Sequence, residues 1–307
     1  MKRTTDNNLM RWATRAAVTV ALTLVVGKAY AWWMSSSVAV LGSLTDSSLD
    51  LAASLVTLLA VKAAVSPADQ DHRFGHGKAE ALAGLFQAAV MAGSAVFLML
   101  EAVQNIWAPQ PVAASSLVMS ISALAIVLSL FLVAFQSFVV RRTKSLAIAG
   151  DHLHYKGDIL LNLAVIAAAY SSSIGWIYAD GVFGLLIAVY IVFGSLNVAR
   201  PAVDMLMDKE LSDEDREAIF NMALGNVHVL GLHELKTRTS GRDVFIQMHI
   251  EVDGNMTVRD AHFASDEVEA MIGEAYPDAE IIIHVDPPSE RSDELTHGEL
   301  KREELDE

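Results

Sequence analysis

The stretch "LTDSSLDL", residues 44–51, sets two carboxylates, Asp46 and Asp50, four positions apart inside one of the most apolar parts of the chain. Residues four apart share a helix face. A charge at the centre of a bilayer costs at least about 2.5–3.5 kcal/mol on insertion scales, so such acids need a partner or a function. A second stretch, "DHLHYKGDILLN" at residues 151–162, repeats the spacing with His154 and Asp158. Two helices that each offer two oxygen or nitrogen donors at matching depth can close a four-coordinate site. Three carboxylates and an imidazole suit a divalent metal of zinc type. The rival explanation is a structural polar cluster in which an acid pairs with a buried base. Lys156 is the basic residue of the spans nearest that depth.

Both stretches lie within apolar windows of the length that crosses a bilayer, about 20 residues. Six such windows run roughly over 10–33, 38–65, 79–107, 115–140, 146–171 and 174–200. Lys2, Arg3, Arg11 and Arg15 precede or open the first, Arg73 and Lys78 follow the second, and Arg141, Arg142 and Lys144 follow the fourth. The other three short connections carry no Lys or Arg. The positive-inside rule therefore predicts both termini on the cytoplasmic side. Trp32, Trp33, Trp107, Trp176 and Tyr178 fall near the outer ends, as an aromatic belt would. Lys28 lies near the outer end of the first span, where a long stem can snorkel to the interface. No signal-peptide cleavage pattern marks the N-terminus.

Charge divides the chain. Residues 1–208 hold 13 Lys+Arg and 12 Asp+Glu, whereas residues 209–307 hold 9 and 25. Nearly all of the net charge of −15 therefore belongs to the last third. This reads as a six-span membrane domain (1–208), an acidic soluble domain (209–287) and an acidic, disordered tail (288–307). Such acidity argues against nucleic acid, whose phosphates need Lys and Arg, and suits cations. The absence of cysteine removes disulfides and thiolate sites. Gly77-Lys78 resembles the end of a phosphate loop, but His72 stands where its first Gly belongs and Ala79 where Ser or Thr should follow. No nucleotide site is expected, and no nucleophile–base pair points to an enzyme.

Beyond Asp208 the period changes. Ser212-Asp213-Glu214-Asp215 reads as an N-cap with an acidic first turn. Residues 232–239 and 243–252 read as a hairpin about Ser240-Gly241. Residues 257–276 read as a helix and 279–286 as a third strand. The order αββαβ predicts a small α/β sandwich. Two further donor clusters stand out. Asp69, His72 and His76 have spacings of three and four in a short connection. His233, His249, His262, His284 and Asp286 are scattered over the acidic domain, with His284 and Asp286 on one face of the third strand. Surface histidines and a solvated polar loop are the plain alternatives.

Together these features resemble the cation diffusion facilitators, and within them the bacterial zinc-transporting branch, which includes ferrous-iron efflux pumps. The resemblance runs from about Leu9 to Pro287. It covers the six-span layout, "LTDSSLD", "DHRFGHGKAE", "HYKGD" and the histidine-bearing domain, whose fold is similar to metallochaperones. It implies a homodimer in the cytoplasmic (inner) membrane, exporting Zn(II), and also Cd(II), in exchange for protons. Fe(II) as main cargo, or a receptor that binds without carrying, are the rival readings. It further implies a transport site of Asp46, Asp50, His154 and Asp158, and a loop site of Asp69, His72 and His76. His233, His249, His262, His284 and Asp286 are implied as a binuclear zinc site, and Lys78 with Asp208 as a salt bridge holding the dimer. Asp71, His152 and the tail lie outside the pattern.

Overall fold

The computed structural model describes residues 2–36, 38–109, 116–288 and 300–301. The chain divides into two compact units, Met1–Val203 and Asp204–Glu307.

Among the described residues the first unit has six long helices: α1 (Lys2–Ser35), α2 (Val38–Ala64), α3 (Lys78–Trp107), α4 (Ser116–Thr143), α5 (Leu146–Ser173) and α6 (Ala179–Leu206), the last running into the second unit. Five of them are long and apolar enough to cross a membrane. The exception is α5, which is 28 residues long but carries Asp151, Lys156 and Asp158 in its first half. It packs against α3 and α4, so its polar face meets protein.

Burial in this unit runs opposite to that of a water-soluble protein. The face of α1 made by Met10, Ala13, Ala17 and Ala21 is buried, while Phe97, Phe131 and Phe193 are exposed. Small residues inside let helices approach closely, and large apolar side chains outside suit lipid. Gly150 shows how close: a Cβ there would stand 2.8 Å from the Cβ of Gln87, so any side chain would push α5 away from α3. Ion pairing closes one end, where the Arg142 Nε donates to Asp6 Oδ1 at 2.5 Å and the Ser145 hydroxyl donates to Glu80.

The second unit contains α7 (Asp213–Leu224), β1 (Gly231–Ser240), β2 (Asp243–Glu251), α8 (Val258–Ala275) and β3 (Ala279–Asp286), the expected αββαβ order. A two-residue strand, β4 (Leu300–Lys301), pairs with Gly231 and Leu232. The sheet order is β3-β2-β1-β4, with β2 antiparallel to β1 and parallel to β3. Of the stretch expected to be a disordered tail, only Pro288, Leu300 and Lys301 belong to the described residues.

Local chemistry fixes both helix starts. The Ser212 hydroxyl accepts from the Asp215 N–H at 3.1 Å, and the Thr257 hydroxyl accepts from that of Asp260 at 3.2 Å. Alternation in β2 sends Ile246, Met248 and Ile250 into a core with Ile219, Phe220, Leu224, Val268 and Ile272. The opposite face carries the histidines. A register shift between His233 and Lys236, with Glu234 at φ +49°, bends β1. It leaves His233 opposite His249, and His249 in turn stands opposite His284.

Candidate metal centres

In the helical unit α2 and α5 run antiparallel, and the turn containing Asp50 meets the turn containing His154. The His154 Nε2 lies 2.9 Å from Asp50 Oδ1 and 3.7 Å from Asp158 Oδ2. Nδ1 of the same ring stands 3.1 Å from the Met91 sulfur. The residue is buried at 8% exposure, and its Nε2 faces the Asp50 and Asp158 carboxylates alone. Facing two carboxylates, it is a donor set suited to a divalent cation.

Of the four expected residues, the structure brings Asp50, His154 and Asp158 together, with donor atoms within 4.8 Å of one another. Asp46 is not in that group. It stands one turn away, lining a cavity of about 330 Å³ with Asp50 and Asp158. The cavity reaches Glu101 and Asn105 late in α3, Asn162 in α5 and Asp180 at the start of α6. It thus extends from the cluster toward the helix ends whose connections carry no Lys or Arg.

Two polar features here escaped the sequence reading. Lys28 does not snorkel to the interface. Its ammonium turns onto α2 and donates to the Ser47 hydroxyl at 2.7 Å and the Ser43 carbonyl at 3.2 Å, beside the acids in the cavity. Asp151, buried at 1% exposure, accepts from Gln136 Nε2 at 2.6 Å, Ser54 Oγ at 3.1 Å and Gln87 Nε2 at 3.4 Å. Ser54 also contacts the Tyr155 hydroxyl at 3.2 Å, which reaches the Ala17 carbonyl of α1 at 3.1 Å. The available signal was spacing: Ser54 lies one turn beyond Asp50, and Asp151 one turn before Tyr155.

The loop cluster is assembled on a turn. The Asp69 Oδ1 accepts from the N–H of His72 at 2.7 Å and of Asp71 at 3.0 Å. The His72 Nδ1 lies 3.2 Å from Oδ1, and the His76 Nε2 lies 3.2 Å from Oδ2. The His72 backbone N–H, with the other hydrogen bonds, holds the Asp69 carboxyl below the usual carboxylate range. Asp71 contributes only its backbone.

In the second unit Asp286 collects three rings. Its Oδ2 accepts from His249 Nδ1 at 2.8 Å and lies 3.5 Å from His233 Nε2, while Oδ1 lies 3.1 Å from His284 Nε2. Partial burial pushes this carboxyl up, but the His249 hydrogen bond and the nearby rings hold it below its ordinary value. His262 is not in the cluster. It sits on α8 with Asp266 at 3.6 Å. Glu251, unexpected from the sequence, approaches His233 Nδ1 at 3.8 Å. Within its own unit Asp208 accepts from Arg238 at 3.3 Å. Lys78 begins α3 in the other unit.

A helical membrane unit with donor sets in its spans and loop, joined to an α/β unit carrying another, is the arrangement of an integral membrane protein able to hold divalent cations. Comparison with known proteins narrows the class. Residues 14–207 match the cation efflux transmembrane domain, and residues 211–288 match the cytoplasmic domain of cation efflux proteins. The chain belongs to the cation efflux family. It is 41% identical to the cation-efflux pump FieF of Salmonella choleraesuis over 93% of this chain and 95% of the relative. With FieF of Shewanella oneidensis the identity is 43%, over 91% and 94%. A solved chain of CzrB in its Zn form is 34% identical, covering 28% of this chain and 99% of that one, with a TM-score of 0.27.

Proposed function

We propose that this cation efflux transporter exports Zn(II), and also Cd(II), from the cytoplasm in exchange for protons. In this reading it is a homodimer in the inner membrane with both termini cytoplasmic. Asp50, His154 and Asp158 hold the cargo, and Asp46 meets it one turn outward. The observation that carries the reading is the buried Nε2 of His154 facing two carboxylates, both of which line a cavity reaching toward the helix ends whose connections carry no Lys or Arg.

The chemistry of exchange follows from the donors. Metal binds deprotonated ligands, so loading releases protons and protonation releases metal. An imidazole changes charge near neutral pH, which suits it to that task. The cavity reaches only the ends lacking Lys and Arg, so this conformation offers the site outward. Rocking of the helices would offer it to the other side.

The Asp69 cluster and the His233–His249–His284–Asp286 cluster are cytoplasmic sites in this reading. The donor set of the latter fits zinc. Metal there would offset the acidity of the domain and draw two copies together, with Lys78 and Asp208 supporting the dimer. The test is zinc flux into proteoliposomes under an imposed pH gradient. Wild type should transport only with the gradient, and Asp50→Ala should lose at least about 100-fold. Equal rates for Asp50→Ala and wild type would remove the cargo site from its place.

A further inference from the structure

We propose that Lys28 is a built-in counter-charge of the membrane carboxylate cluster, setting its net charge to match one divalent cation and keeping the cargo loose enough to leave. The inference rests on reading Asp50, His154 and Asp158 as the cargo site.

The ammonium is held rather than free. It donates to the Ser47 hydroxyl and the Ser43 carbonyl, and Ser47 is itself buried at 2% exposure. Both acceptors are neutral, so the charge is parked against α2 and not consumed by an ion pair with one acid. From there it shares the cavity with Asp46 and Asp50 of α2 and Asp158 of α5. Glu101 of α3 and Asp180 of α6 also face it, Glu101 exposed and Asp180 accepting from Asn105 at 2.9 Å. The α4 lining, Ala125 and Ser129, adds no charge.

Counting charge gives the consequence. Of the five carboxylates lining the cavity, Asp46, Asp50 and Asp158 are the three that act on the ammonium; with it they leave two negative charges, which one divalent cation or two protons neutralise. Without Lys28 a bound divalent ion would leave one negative charge uncompensated in a low-dielectric site, and the ion would be held harder. The size of the effect follows from Coulomb's law. A unit charge about 10 Å from a divalent ion changes its affinity about fourfold in bulk water, and more than a hundredfold at an effective dielectric of about 20.

Lys28→Gln should therefore bind Zn(II) at least about fourfold more tightly at pH 8, where protons compete least. In flux assays it should show a lower KM together with a lower turnover. Lys28→Arg should stay close to wild type. Structural damage would move affinity the other way, so the sign separates the two roles.

The chain has no cysteine, which permits a second test on one folded sample. Lys28→Cys, labelled with an aminoethyl methanethiosulfonate, regains the positive charge, and labelled with a methyl methanethiosulfonate it does not. The first label should weaken Zn(II) binding and the second should leave it tight. All measurements use full-length protein carrying His76→Ala and Asp286→Ala, which quiet the other clusters. If neither Lys28→Gln nor the charge of the label changes Zn(II) affinity while binding still depends on Asp50, the counter-charge role is wrong. If binding does not depend on Asp50, the cargo-site reading fails instead.

Discussion

Gln136→Leu removes the shortest hydrogen bond to Asp151. At 2.6 Å the Gln136 amide is the closest donor to the Asp151 carboxylate, and both residues are buried. A hydrogen bond to a charged group contributes about 1.5–3 kcal/mol, against about 0.5–1.5 for a neutral pair. Leucine fills similar volume and also removes the Gln136 Oε1, a buried carbonyl without a partner. Its loss offsets part of the penalty, so a net cost of about 2 kcal/mol is expected. Asp151→Asn keeps the shape but makes the acceptor neutral. Repeating Gln136→Leu in that background should cost about 1 kcal/mol or less.

The difference is the coupling energy of a double-mutant cycle, about 1 kcal/mol. For a unit of this size about 1 kcal/mol corresponds to roughly 2–4 °C in Tm. Gln136→Leu alone should melt roughly 4–8 °C below wild type, and roughly 2–4 °C or less below its parent in the Asp151→Asn background. The assay is fluorescence-detected thermal unfolding of purified protein in one detergent, at one scan rate. Equal losses in both backgrounds would refute the reasoning, because Asp151 would then not be acting as a charged acceptor.

Three further outcomes are expected. The Asp286 carboxyl sits below its ordinary value, so it favours the fold above the unfolded value of about 3.9 and loses that contribution as pH falls through the folded one. In chelator-treated full-length protein, Asp286→Asn should reduce hydrogen-exchange protection of β2 at pH 6, with the gap to wild type closing toward pH 3. A gap that widens on acidification would contradict the sign. Thr257→Ala removes the α8 cap and should lower stability of that unit by about 1 kcal/mol, read as faster exchange in the first turn of α8. If Lys78 and Asp208 hold a dimer, Lys78→Asp and Asp208→Lys should each lower the dimer fraction in light scattering, and together restore it; failure of the pair to rescue removes the bridge.

What could be read from the sequence tracks the range of the interactions involved. Helices announce themselves locally, and so do their caps, so the six spans and αββαβ order follow from period and composition. The i, i+4 pairs put donors on single helix faces, and the meeting of Asp50 with His154 needed only a match of depth. Asp46 shares a face with Asp50 by sequence, yet one helical turn of about 5.4 Å is enough to take it out of reach of the ring. The histidine row depends on register across three strands, set by a bulge at Glu234 that no spacing rule announces. His262 is on a helix rather than in that row, so proximity in composition did not become proximity in space. Lys28 misled because snorkelling is a property of an isolated helix, and it ignores hydroxyl acceptors on a neighbour.

The antiparallel crossing of α2 and α5 carries two polar layers a turn apart. In the upper one Asp50 meets His154 and Asp158; in the lower one Ser54 meets Asp151 and Tyr155. The upper layer lines the cavity through Asp50 and Asp158, while Ser54, Asp151, Gln87, Gln136 and Tyr155 are absent from its walls and fully or nearly fully buried. The lower layer connects α5 to α2, α3 and α4 through side chains and to α1 through the Ala17 carbonyl. If Asp50, His154 and Asp158 hold the cargo, as proposed, a path from them to the opposite helix ends would cross this layer. Each bond it breaks leaves a buried group unpaired at about 1–3 kcal/mol unless water or a rearranged partner replaces it. Two residues already hold spare capacity for that exchange: the Oε1 atoms of Gln87 and Gln136 have no partner here. Rotating either amide would present an acceptor where a donor stood, which would give the hydroxyls of the layer a second partner if Asp151 were drawn aside. Ordinary apolar packing would seal the passage as well, but would offer no such alternate pairing.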